Sequence, residues 1–149
     1  MRFVSLRSLL LWCVTILAFM LFSDLLTLAL GKPLVPPNFA DLYASASAPF
    51  LLMLALVAAA PLLEELFFRG FILSALDSLG IPFRVGAGAS SLAWAAIHSQ
   101  YGLYELTLIF AMGLLLAEAR YRSRSIVPCI AMHSVSNMGA FVEAALMAP

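Results

Sequence analysis

The chain of 149 residues is 64% hydrophobic and 11% charged, with a formal net charge of zero and a mean hydropathy of +1.04. That composition excludes an ordinary soluble domain, because runs of roughly 20 apolar residues, the length that spans a bilayer as helix, follow one another along the chain. The lack of a basic patch or run excludes nucleic acid as a partner.

The first run, residues 9–30, follows Arg2 and Arg7. It has the outline of a signal peptide but is long enough to span, and Asp24 and bulky leucines stand where cleavage would require small residues. It therefore reads as the first transmembrane helix, with Asp24 near its end reaching the interface or a neighbouring helix. Residues 31–47, with Pro33, Pro36 and Pro37, cannot continue that helix and read as an external loop or re-entrant turn. From residue 48 to 79 the chain is apolar, about 48 Å if fully helical, which exceeds the hydrocarbon thickness. Pro61 removes a backbone donor there, so the spacing predicts a kink or a break.

Gly80, Ile81 and Pro82 end that element. A third helix is expected over residues 85–100, rich in small residues that let helices approach closely in lipid. A fourth is expected over 103–119, with Gly113 and Ala117 as a close-packing face, followed by a basic loop of Arg120, Arg122 and Arg124. A fifth is expected over 125–147, with Pro128 in its first turn. With the N-terminus inside, Arg2, Arg7, Arg84, Arg120, Arg122 and Arg124 fall on the cytoplasmic side and Lys32 alone falls outside. The expectation is an all-α, polytopic transmembrane bundle of about five spans with a cytoplasmic N-terminus. It forms a single domain, 1–149, in which 1–47 is an N-terminal helix and loop and 48–149 a core. A transporter of two inverted halves would need more chain. Cys13 and Cys129 lack metal-pair spacing and read as small apolar packing residues.

Inside these apolar segments a few polar residues recur at helical spacing. Glu64, Glu65 and Arg69 place three charges at bilayer depth, each costing at least ~2.5 kcal/mol, which points to function. Glu65 and Arg69 stand at i and i+4, acid first, the favourable order for an ion pair. Glu64 is rotated about 100° from that face and is left free for chemistry. Trp94 and His98 share one helix at i, i+4, and His133 and Asn137 share another. Glu64, His98 and Asn137 lie at similar depths, roughly 20 Å from the cytoplasmic ends of their helices, with His133 about one turn nearer that end. A carboxylate, two imidazoles and an amide in a dry pocket can deprotonate a water, hold it and stabilise an oxyanion. Each His or Asn alone would more simply be interhelical glue of around 0.6 kcal/mol. Trp94, Phe67, Phe68 and Phe71 read as packing or pocket wall, and Glu143 has no evident role.

Glu64-Glu65-x-x-x-Arg69, then Trp94-x-x-x-His98, where the pattern more often has Phe first, then His133-x-x-x-Asn137, preceded by Ser125, Ile126 and Pro128, resemble the three motifs of the CPBP (Abi) intramembrane proteases. That family includes the type II CAAX prenyl endopeptidases and bacteriocin self-immunity proteins. The resemblance implies an intramembrane endopeptidase acting on a membrane-associated protein or peptide in a lipid bilayer, here of a bacterial inner membrane. It implies that Glu64 with His98 activates water, that His133 and Asn137 stabilise the oxyanion, and that Glu65 with Arg69 supports the site. A glutamate mechanism without metal is favoured over the alternative in which Glu64, His98 and His133 bind zinc. A non-catalytic membrane immunity or partner-binding protein, and a small ion or proton carrier, are the other classes that these residues fit.

Overall fold

The computed structural model describes residues 4–147, which form six helices and no strand. Helix α1, Leu6–Ala29, is capped by the Ser5 side chain, which accepts from the Ser8 N–H at 3.3 Å. It ends where Gly31 takes a φ of +66°, a turn that suits a residue without a Cβ. The segment expected as an irregular loop holds a helix, α2, Pro37–Ala44. Pro37 sits at its first position, where its missing N–H costs nothing and its fixed φ favours helix. Asn38 donates to the Gln100 carbonyl and Tyr43 meets Phe141 edge to face at 5.3 Å, so this short helix is tied onto the bundle.

The long apolar element α3 runs unbroken over Pro49–Ser78, 30 residues. Pro61 does not break it, and the physical reason is a change of register. Two π-helical stretches, Ala55–Ala59 and Leu66–Ile72, flank the α-helical turn that carries Pro61, Glu64 and Glu65. The Ala60 N–H reaches back to the Ala55 carbonyl. The next donor in that register would be Pro61, which has no N–H, so the Leu56 carbonyl is left open toward the neighbouring helix.

Helix α4, Phe83–Ala96, ends before the expected residue 100. Helix α5, Leu103–Ser123, extends past the expected residue 119. Arg120 and Arg122 therefore lie on its last turn, the end where the helix dipole favours cations, and Arg122 pairs with Glu118 one turn back. Of the expected basic loop only Arg124 lies outside the helix, at a φ of +52°. Helix α6, Val127–Met147, starts two residues later than expected.

Two of these helices, α1 and α3, are long and apolar enough to cross a membrane, and only 6% and 11% of their most apolar windows are buried. A core helix of a soluble protein would be mostly covered, whereas here leucines and phenylalanines such as Leu17, Leu21, Phe22, Leu63, Phe67 and Phe71 face outward. The packed centre holds Ile16, Phe68, Trp94, Met112, Leu116, Cys129 and Met132. Cys129 is buried there with its thiol against the Leu116 carbonyl, and Cys13 is also unpaired.

The α4–α5 contact depends on Gly113. A Cβ on Gly113 would lie 2.8 Å from the Ser91 Cβ and 3.2 Å from Arg69 Nη2. Gly113→Ala is expected to lower stability by about 1–3 kcal/mol through overpacking, read as a lower melting temperature in detergent. An unchanged melting temperature would contradict this account of the contact.

Candidate active site

Four of the residues singled out in the sequence, Glu64, His98, His133 and Asn137, line one cavity of about 430 Å³. They come from α3, from the turn after α4 and from α6. The other two, Glu65 and Arg69, lie behind that wall and are fully buried. Arg69 Nη1 donates to Glu65 Oε1 at 2.9 Å, the i, i+4 ion pair expected from spacing. Arg69 Nη2 donates to the Gly113 carbonyl at 3.2 Å, which joins α3 to α5. Glu65 Oε1 also accepts from His133 Nδ1 at 2.9 Å. One carboxylate thus fixes both a guanidinium and an imidazole, and it orients His133 so that Nε2 is the ring nitrogen left for another partner.

Glu64 is not free, as the spacing alone implied. Trp94 Nε1 donates to its Oε2 at 2.6 Å across 30 positions of sequence. Trp94 is therefore more than wall. Its ring stands edge to face with His98, centroids 5.3 Å apart, and with His133, 5.2 Å apart. The Arg69 guanidinium lies 4.5 Å from the ring centroid, a cation–π contact. Four polar site residues, Glu64, His98, His133 and Arg69, are held around this one indole. A phenylalanine could fill much of the space, but it has no N–H to offer Glu64.

His98 lies beyond the last turn of α4 rather than on it. Its Nδ1 is 2.9 Å from the Trp94 carbonyl, an acceptor, so Nδ1 carries the proton and Nε2 of the neutral ring is an acceptor. Asn137 Nδ2 donates to the Leu56 carbonyl at 2.8 Å. That is the carbonyl left open by Pro61 and the π-helical register, so Asn137 has a structural partner and keeps one further N–H and its oxygen.

The same cavity is lined by Asp24 of α1 and Glu143 of α6, and by Pro33, Leu34, Pro36 and Phe39 of the segment leading into α2. From the sequence neither carboxylate is expected at the site, and that segment is expected as an external loop or re-entrant turn. Among the described residues, no three of His, Cys, Asp and Glu stand close enough together to hold a metal ion.

Trp94→Phe tests the indole's part in the site. Loss of a hydrogen bond to a charged group, worth about 1.5–3 kcal/mol, is expected to slow turnover roughly ten- to hundredfold while the protein stays folded. Turnover equal to wild type would show that the Glu64 contact does not matter to activity.

These features define a class: a helical membrane protein whose apolar bundle encloses a polar cavity of glutamate, histidine and asparagine. Residues 46–139 match the family model for type II CAAX prenyl endopeptidase Rce1-like proteins, and the chain belongs to that family of membrane-embedded peptidases. An uncharacterized 24.3 kDa protein of Escherichia coli is 36% identical over 111 residues, covering 70% of this chain and 51% of that protein. The chain thus spans about half the length of this curated relative. No solved structure matches.

Proposed function

We propose that the protein is an intramembrane endopeptidase that hydrolyses a peptide bond in a membrane-associated protein or peptide, with Glu64 as general base. The observation that carries this reading is the convergence of Glu64, His98, His133 and Asn137 on one cavity, with Glu64 held by Trp94. Water in that cavity has two protons to place. Glu64 takes one, and His98 Nε2 accepts a hydrogen bond from the other. The water oxygen bonds to the scissile carbonyl carbon as its proton passes to Glu64. The resulting oxyanion is stabilised by the His133 ring, oriented through Nδ1 by Glu65, and accepts from the remaining Asn137 N–H. The C–N bond then breaks, and the proton on Glu64 passes to the leaving amine. Arg69 pairs with Glu65 at 2.9 Å and holds it in place.

The wider setting is part of the proposal: a bundle of about five spans with the N-terminus cytoplasmic, in a bacterial inner membrane. We favour a metal-free mechanism; what supports it is that Glu64 and both imidazole Nδ1 atoms already have hydrogen-bond partners within the chain. Detergent-purified protein is expected to cleave members of a panel of membrane-tethered and isoprenylated reporter peptides, at a rate unchanged by chelators. Chelator loss restored by zinc would overturn the metal-free mechanism, and no cleavage of any reporter by folded protein would count against the peptidase reading itself.

A further inference from the structure

A second cavity, of about 650 Å³, lies on the other side of the Arg69–Glu65 pair. Its wall includes Arg69, Arg120, Arg122 and Arg124, with Ser74 and Asp77. Four guanidinium groups around one space repel one another unless negative charge lies among them. Internal pairing accounts for two. Arg69 pairs with Glu65, and Arg122 with Glu118. Arg120 and Arg124 have no carboxylate within ion-pair distance among the described residues, Asp77 included.

A second observation points to a ligand. Arg69 is fully buried, yet its Nε has no hydrogen-bond partner, and the Nε of Arg120 is also buried and unpartnered. Both side chains line this cavity. Buried donors without an acceptor are rare, and charged ones are costly, so two on one wall indicate an acceptor that the chain itself does not provide. The acceptor must be anionic and carry several oxygens to meet more than one guanidinium. The wall also holds the Ser74 side chain, and the single carboxylate of Asp77 is outnumbered by the arginines. The cavity lies where α5 ends and the chain turns into α6, at an end of the bundle beside the apolar outer surface of α3. Basic pockets between membrane helices in such positions suit phosphate headgroups.

We propose that this arginine-lined cavity is a binding site for a phosphate group, carried by an anionic phospholipid or by a free phosphate compound. The site is separate from the cavity of Glu64 and does not depend on peptidase activity. The test uses the full chain in detergent, with two probes. Inorganic phosphate is titrated against chloride at matched ionic strength, following the melting temperature, and phosphatidylglycerol retained by the protein is counted by native mass spectrometry. A ligand that binds the folded state raises its melting temperature. Binding of phosphatidylglycerol alone would identify the headgroup as the source, and binding of inorganic phosphate would extend the site to soluble phosphates.

Arg120→Gln and Arg124→Asn are each expected to weaken binding about tenfold or more. Asparagine suits the left-handed backbone of Arg124, so the second variant retains its fold even where the first does not. Arg84→Gln is the control: it removes the same charge from an exposed residue outside the cavity. Failure of both probes to bind wild type would overturn the site. So would an equal loss with Arg84→Gln, because binding would then follow overall surface charge.

Discussion

Glu64→Gln is expected to abolish detectable peptide cleavage, lowering turnover by about 10²–10⁴, the range that a positioned general base supplies. The substitution is chosen for what it keeps. The amide oxygen of glutamine can still accept from Trp94 Nε1, the contact that holds Glu64 at 2.6 Å. The side chain keeps its length and the cavity its shape, while the capacity to take a proton from water is removed. Folding is expected to be unaffected, since Glu64 borders the cavity and takes no part in the buried ion pair. The measurement is turnover of a membrane-tethered reporter, with gel filtration and melting temperature as checks on fold. Cleavage at the wild-type rate by Glu64→Gln would remove Glu64 as the base. Retention of a cellular phenotype by the same variant, with no cleavage by wild type, would favour the immunity or partner-binding class.

The parts of this site that are visible in the sequence are those whose geometry is set by one helix. Glu65 and Arg69 are an example: i, i+4 spacing in the acid-first order led directly to the buried pair. The depth argument for Glu64, His98, His133 and Asn137 also led to a shared cavity, although His98 reaches it from a turn and not from the helix expected to carry it. Contacts between helices had no such signal. No spacing rule relates Trp94 to Glu64, and an indole in an apolar segment looks like packing until its N–H is followed to an acceptor. The partner of Asn137 depended on the π-helical register around Pro61, which periodicity does not reveal; Pro61 indicated only that some carbonyl would be left open.

Two misplaced boundaries did have readable causes. Pro37 is the first residue of α2, where proline favours a helix, so a cluster of prolines marked a start as well as a stop. Glu118 and Arg122 stand at i, i+4, a sign that α5 continued beyond residue 119. Reading that pair would have placed Arg120 and Arg122 on a helix end.

Arg69→Met should have the largest effect on stability. Arg69 and Glu65 are both fully buried, and Glu65 Oε2 has no hydrogen-bond partner. Removing the guanidinium leaves Glu65 as a buried carboxylate with only His133 beside it. Breaking one partner of a buried pair typically costs about 3–5 kcal/mol, because the remaining charge is uncompensated. Methionine fills part of the vacated volume and adds no polar group, so the loss reports mainly on charge, together with the contact to the Gly113 carbonyl. The double variant Glu65→Gln/Arg69→Met separates these effects. With neither charge present, more than half of the lost stability is expected to return, since replacing both members of a buried pair is often near neutral. Activity is expected to stay low, because a neutral amide at position 65 can accept from His133 but cannot balance a positive charge on that ring as the oxyanion forms. Unfolding free energies and reporter turnover for the wild type, both single variants and the double complete the cycle. Additive losses of stability would show that Glu65 and Arg69 do not act as a pair, and restored turnover in the double would show that Glu65 serves only to position His133.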